Sequence, residues 1–575
     1  MLWRRWSGLP RTTRVVLLVY AALCAVLWLV PLLNRLHAES AAVVAAVAFF
    51  AAGLAALQAF RRGGALWRVL ARQEAALLVP WAMLTVAALW APNCAYGQGL
   101  LFFLLYAPVS VALAVGGAYA LSATPWTRQG VLFVGIGLAV MGLGPLYDLG
   151  LHPQFYTYNH VFGGVLGPIY DEELVVRPGL LAFRGLTLLW ALLLVLVGRR
   201  LREGGPGRTG APALPPYLIP GAGLAIGLVY LFAAPLGINT PAWYVQRTLG
   251  GHLATEHFDL YYDPASVSEA ALQRLAEDHE YRYAQLAERL GVAVPARIAS
   301  YLYPDAETKG RLTGARTTNV APVWLRRPQT HVLLDAYGRV FAHELAHVFS
   351  REFGMPILRA SPAVGLVEGL AVALEPPDGL PTPHEQVAAA LGQRMGLGRA
   401  SLAEDVAARL SPLGFWTGRG AVSYTTLGSF VRYLLDAYGP ARLRRLYATA
   451  DFEAVYGRPV EALAAEWEAF LRALPVVDRA AGALVQRRFA VPSLFERRCP
   501  HHVPRPVRRY RAAAAALAEG DTTGAVAPLY AALAEAPAYE PALVLWARLR
   551  LAGGAPAEVI ARLDTMAAVQ RAPAL

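Results

Sequence analysis

The sequence predicts a multi-pass α-helical membrane domain over 1–236, an α+β soluble domain over 237–500 and an α-helical segment over 501–575. Three observations predict it. Seven apolar runs fill the first 236 residues. Beyond residue 237 the hydropathy falls, and strand patterns come first and helical ones after, the order of an α+β fold. Beyond residue 508 the chain is Ala-rich, with glycines in similar settings 34 residues apart. Composition agrees: 56% of residues are hydrophobic and only 16% charged, against about 25% charged in soluble proteins.

The apolar runs lie near 15–33, 40–60, 74–91, 100–121, 130–147, 179–198 and 217–236. Each has the length, roughly 20 residues, that crosses the hydrocarbon of a bilayer as a helix. The third and fifth are the weakest. The first follows a basic start, MLWRRWSGLPRTTR, but is long and lacks a small-residue cleavage site, so it reads as a retained anchor. Arg4, Arg5, Arg11 and Arg14 precede the first run; Arg61, Arg62, Arg68 and Arg72 follow the second. Arg128 follows the fourth, and Arg199, Arg200, Arg202 and Arg208 follow the sixth. The alternate loops carry only Arg35 and Arg177. The positive-inside rule therefore places the N-terminus in the cytoplasm and everything after about residue 237 outside it. A net charge of +12, spread beside apolar runs rather than on one solvated face, points to membrane topology and away from nucleic acid.

Loop 148–178 falls on the outer side and carries His152, His160, Asp171, Glu172 and Glu173. It reads as a solvated loop on the membrane surface, with a cap on the soluble domain as the alternative. In the soluble half, HFDLYYD (257–263), ARIASYLYP (296–304) and THVLLD (330–335) read as strands. Residues 266–291 form an amphipathic helix closed by Gly291. In the last segment, Gly520 and Gly554 mark the tetratricopeptide period. Two degenerate repeats, offering a surface to a protein partner, or a plain pair of helical hairpins both fit.

The chemistry centres on HELAHVFS (343–350). On a helix, residues i and i+4 share a face, so His343 and His347 can grip one ion, and Glu344 can reach a water on it. Asp335 could cap that helix. Zinc needs a third protein ligand. SPAVGLVEGLAVALE (361–375) supplies Glu368, in a helix that Ser361 would cap with Pro362 at its first position. A lone carboxylate in an apolar helix is costly to bury unless it is paired or metal-bound.

HELAH, a gap of 20 residues and then EGLA (368–371) resemble the gluzincin peptidases, the thermolysin and aminopeptidase-N superfamily, and within it the bacterial peptidase-MA-like group. EHFDLYYDP and SYTTLGSFVRYLLDAYG (423–439) belong to the resemblance, which covers roughly 255–475. It implies one zinc ion held by His343, His347 and Glu368. Glu344 would be the general base for a metal-activated water attacking a peptide or protein substrate. Tyr424 matches the tyrosine that steadies the oxyanion, with a core aromatic as the alternative. Glu375 lies two turns beyond Glu368 and could fix the tautomer of a ligand histidine; a solvent-exposed glutamate is the plainer reading. THVLLD would be the edge strand that a peptide pairs with. The segment LTGARTTNVAPVW (312–324) lacks the acidic residue with which aminopeptidases hold the substrate amine, so the resemblance leans to an endopeptidase, or to a narrow substrate, in the bacterial cytoplasmic membrane with its peptidase domain outside.

Other readings fit less of the chain. An intramembrane protease would need HELAH inside an apolar run, and its aspartate ligand has no membrane-embedded counterpart; PDGL (377–380) lies in a polar loop. A transporter would show an intramembrane charge pair, and none stands out. A catalytically silent envelope protein, using the peptidase fold as a binding module, is the alternative of a different class. CPHH (499–502) is too crowded to close a metal site alone and reads as a bend. Of the three cysteines, Cys94 and Cys499 share the oxidising side of this topology, which permits a disulfide.

Overall fold

The computed structural model describes residues 9–168, 173–203, 214–377, 381–392, 402–411, 413–475, 479–518 and 520–565. Arg4, Arg5, Asp171, Glu172, Arg208 and all of PDGL after Pro377 lie outside the described residues.

Each predicted apolar run is helical: α1 (Arg11–Leu27), α2 (Ala38–Arg61), α3 (Leu66–Leu89), α4 (Tyr96–Ser122), α5 (Gln129–Leu151), α6 (Pro178–Glu203) and α7 (Leu218–Leu231). Five of them, α2 to α6, are long and apolar enough to cross a membrane. The shortfall from seven falls on the first and last, of 17 and 14 residues, and not on the third and fifth. The third gains length upstream by taking in Arg68 and Arg72; it is interrupted at Leu77, three residues before Pro80, which has no N–H to donate.

The bundle centres on α2, α4 and α6. Ala41, Ala45, Ala48, Ala52 and Ala56 of α2 are fully buried, and small residues let apolar helices approach closely. Inside the bundle Arg184 is 2% exposed. It donates to the carbonyls of Leu105, Tyr106 and Asn159 and to the Ser110 hydroxyl.

Loop 148–178 is not a solvated surface loop. Its hairpin, β1 (Thr157–Asn159) with β2 (Gly163–Val165), is antiparallel, and Gln154, Tyr156, Thr157 and Tyr158 are buried. The reason is docking. Phe155 N–H donates to the Thr313 carbonyl (2.6 Å), Trp324 Nε1–H to that of Leu149 (2.7 Å), and the Tyr156 hydroxyl meets Thr240 Oγ1 (2.8 Å). The aromatic content read as a membrane-surface feature is the interface with the soluble half.

That half is built on a four-stranded mixed sheet, ordered β3 (Gly251–Ala254), β4 (Phe258–Tyr262), β5 (Ile298–Tyr303), β6 (Gln329–Leu333). The first pair is antiparallel and the other two parallel. Three strands match expectation; β3 is additional, its GHLA sequence carrying too little alternation to be read. Between β4 and β5 runs α8 (Glu269–Leu290), capped by the Ser268 hydroxyl and ended by Gly291 at φ 60°. Helix α9 (Ala306–Thr313) follows β5. Phe258, Leu260, Ile298, Leu302 and Val332 bury one face of the sheet together with α10 (Tyr337–Ser350), α11 (Val364–Ala373) and α12 (Gly420–Tyr438).

The C-terminal residues form α13 (Arg505–Ala518), α14 (Thr522–Glu535), α15 (Glu540–Ala552) and α16 (Pro556–Asp564) around a separate core with Trp546. Gly520 and Gly554 both have positive φ, 81° and 75°. The 34-residue spacing thus marks two equivalent turns, a geometry shared by degenerate repeats and plain hairpins.

Candidate metal centre

Helix α10 begins almost directly after β6, through a single 3-10 turn at Leu334–Ala336. Asp335 sits in that turn and caps nothing with its side chain. Phe341, Leu345, Val348 and Phe349 fill the core beneath the helix. His343 and His347, one turn apart, face α11, with their rings 4.9 Å apart. Helix α11 begins at Val364, two residues later than Pro362; the Ser361 hydroxyl accepts from Ala363 N–H, ahead of the helix.

Glycines set how closely α11 lies on α12. A Cβ at Gly428 would stand 2.2 Å from Val372 Cγ1, and one at Gly369 3.0 Å from the Leu427 carbonyl oxygen. This contact aims Glu368 at α10. Glu368 Oε2 is 3.4 Å from His343 Nε2 and 3.7 Å from His347 Nε2. One donor atom from each of the three residues therefore falls within 4.8 Å of the others. His343 Nδ1 donates to Glu375 Oε1 at 2.8 Å, which leaves the Nε2 lone pair for a ligand. Two imidazoles and a carboxylate with this second carboxylate behind them fit a zinc-type cation.

The electrostatics suit that chemistry. Burial raises Glu344, 6% exposed, to about 7 against the partial opposition of His343. Burial likewise pulls His347 down to about 4, so its imidazole is neutral near pH 7. Glu368 is disfavoured as an anion by burial, but His347 and His343 outweigh that and hold its carboxyl low. His343 is raised well above its usual range because hydrogen bonds to Glu368 and Glu375 outweigh burial, so a cation bound at Nε2 would take the place of the proton shared with Glu368.

Tyr424 stands beside the site, its ring 6.4 Å from that of His343, and its hydroxyl hydrogen-bonds Glu368. The expected docking strand needs correction. β6 ends the sheet, but its outer edge is covered: Val320 and His331 exchange both backbone hydrogen bonds, and Leu333 N–H donates to Asn319 Oδ1. The outermost backbone there belongs to 319–320, inside the segment 312–324. One contributor was not read from the motifs. Lys309, fully buried, donates to the carbonyls of Ala315 and Thr318 and so fixes that segment, and its charge also acts on Glu344. Its signal was that it is the only lysine in the chain.

Fold and site together define a mainly helical chain with five helices long and apolar enough to cross a membrane, and a His-His-Glu candidate metal centre in an α+β half. No protein-family model, curated protein or solved structure matches the chain.

Proposed function

We propose that the chain is a membrane-anchored, zinc-dependent endopeptidase with its catalytic half outside the bacterial cytoplasmic membrane. The reading rests on one observation: His343, His347 and Glu368 converge beside a buried Glu344, and Glu375 orients the first histidine. Those three side chains would hold zinc, which would supply a Lewis acid able to lower the pKa of water and polarise a carbonyl.

The chain's own groups do the rest. Glu344, buried beside the trio, accepts a proton from the attacking water and returns it to the leaving amine. Glu375 keeps the proton of His343 on Nδ1. Tyr424 steadies Glu368 and stands where its hydroxyl can turn to the developing oxyanion. Segment 312–324 has no carboxylate to pair with a substrate's terminal amine, which favours internal peptide bonds.

Glu344→Gln tests the proposal. The variant keeps its bound zinc and loses about 100- to 10,000-fold in turnover of a peptide library. Undiminished hydrolysis would remove Glu344 as the base. A zinc-loaded wild type that cleaves nothing in the library would leave the binding-module reading instead.

A further inference from the structure

A second trio lies far from the first in sequence. His37 precedes α2, Glu39 is in its first turn, and His501 comes from the bend at 499–502. One donor atom from each lies within 4.8 Å of the others. The bend is tight, with His501 at φ 57°. The two imidazoles stack with centroids 5.1 Å apart and planes 14° from parallel. Both are deeply buried, His37 at 5% exposure and His501 at 4%. The cavity they border holds about 10 Å³, room for one ion or one water.

The hydrogen bonding of this trio is incomplete. His37 Nδ1 lies 3.3 Å from Glu39 Oε2, but His37 Nε2 is buried with no partner. His501 Nδ1 is buried with no partner, while its Nε2 pairs with Glu39 Oε1 at 2.6 Å, off the direction of a well-aligned hydrogen bond. Close approach without alignment is ordinary for two ligands of one cation, whose donor atoms crowd around it. Two buried imidazole nitrogens without a partner, His37 Nε2 and His501 Nδ1, are otherwise costly. Arg35 borders the same cavity, but it bonds the carbonyls of Pro92 (3.1 Å) and Arg498 (3.4 Å); it ties the two segments together and leaves the carboxylate to the histidines.

We propose that His37, Glu39 and His501 form a second, structural site for a zinc-class divalent cation. Two imidazoles and one carboxylate select such an ion over calcium or magnesium. The ion lies next to the Cys94–Cys499 disulfide, whose cysteines line the same cavity. Together they clamp the segment leaving the soluble half to the membrane helices. Sequence reading could not find this site, because CPHH supplies one ligand and the other two lie more than 460 residues upstream.

The test uses the full-length protein in detergent, carrying His343→Gln and His347→Gln so that the first site is removed. After chelation, reloading with Zn2+ and desalting, this protein retains one ion per chain. Loading with Co2+ instead gives the visible absorption band of a nitrogen-ligated ion. Adding His501→Gln, or separately Glu39→Gln, abolishes both signals while mass mapping still finds Cys94 joined to Cys499. That linkage shows that the two segments met when the bond formed, and an unchanged melting temperature shows that the fold around it is kept. No ion retained by the double variant, or an ion that survives both further substitutions, overturns the proposal. Neither result bears on Glu344, so failure here leaves the peptidase reading standing or falling by its own experiment.

Discussion

At the residue scale, the candidate site depends on which groups hold a proton. Glu375 is 39% exposed at its side chain, yet its 2.8 Å contact fixes the tautomer of His343. Glu375→Ala therefore weakens zinc binding about 10- to 100-fold, measurable by competition with a chromogenic chelator, while leaving the fold intact. A second prediction concerns His279, fully buried on α8, where Nδ1 donates to the Leu275 carbonyl and Nε2 accepts from Ser300. Burial pulls its pKa down to about 4. As pH falls below 6.5 the unfolded chain takes up a proton that folded His279 refuses until about pH 4. Stability is thus lost across that window, by about 3 kcal/mol at most. Asp278 and Tyr337, which bond each other beside it, do not supply a salt bridge that would reverse the sign. His279→Asn should flatten the slope of melting temperature against pH between 6.5 and 4, whatever it does to the absolute value. An unchanged slope would assign acid sensitivity elsewhere. Of these residues, His343 and His347 were legible from helical spacing, and Glu368 from a carboxylate alone in an apolar segment together with the EGLA resemblance; Glu375, expected two helical turns beyond Glu368, lies past the end of α11 at Ala373 and still reaches His343. His279 was not, because nothing in EDHEYR distinguishes a buried histidine from an exposed one.

At the element scale, the site is two helices held at a set separation, and the third helix α12 sets it. Gly428 has no room for a methyl group: its Cβ would stand 2.2 Å from Val372 Cγ1 and 2.7 Å from Val372 Cβ. Val372 is one turn along α11 from Glu368, so displacement of that turn moves the carboxylate. Gly428→Ala should destabilise the soluble half by about 1–3 kcal/mol through overpacking and lower zinc affinity with it. Gly420→Ala, on the same helix with nothing near its Cβ, should leave both unchanged. Equal effects from the two variants would show that helix propensity, and not the α11–α12 contact, governs the site. The sequence announced these helices through apolar periodicity, and it announced β4 to β6 through β-branched and aromatic runs. It did not announce the covering of β6 by Val320. That pairing joins NVAP, which has no strand pattern, to a strand ten residues on, and tertiary contact through Lys309 holds it there.

At the scale of the whole molecule, contacts restrict the topology more tightly than helix length does. Segments 35–37, 92–95, 148–168 and 237–240 meet at one end of the bundle or dock on the soluble half. Asn93 Nδ2 donates to the Leu36 carbonyl, Cys94 bonds Cys499, and Tyr156 reaches Thr240. If α6 crosses the membrane, α7 has to bring the chain back, although its 14 residues rise only about 21 Å. The apolar turns through Leu236 make up the distance, with Phe232 and Leu236 exposed on the bundle surface. Arg61 at the end of α2, Arg128 ahead of α5 and Arg202 in the last turn of α6 sit together at the opposite end, where Arg61 bonds Gln129 and Arg202 the Tyr119 carbonyl; the positive-inside rule predicts that end to be cytoplasmic. Single cysteines read this out without disturbing the core, because Cys24 is buried and the other two are paired. Leu358→Cys, 57% exposed in the soluble half, should react with a membrane-impermeant maleimide in spheroplasts. Trp126→Cys, 55% exposed between α4 and α5, should react only after lysis. Labelling of both positions from the same side would break the parity set by α5, α6 and α7 together. The reverse pattern would put the metal centre in the reducing cytoplasm, where the disulfide that ties it to the membrane helices would not persist.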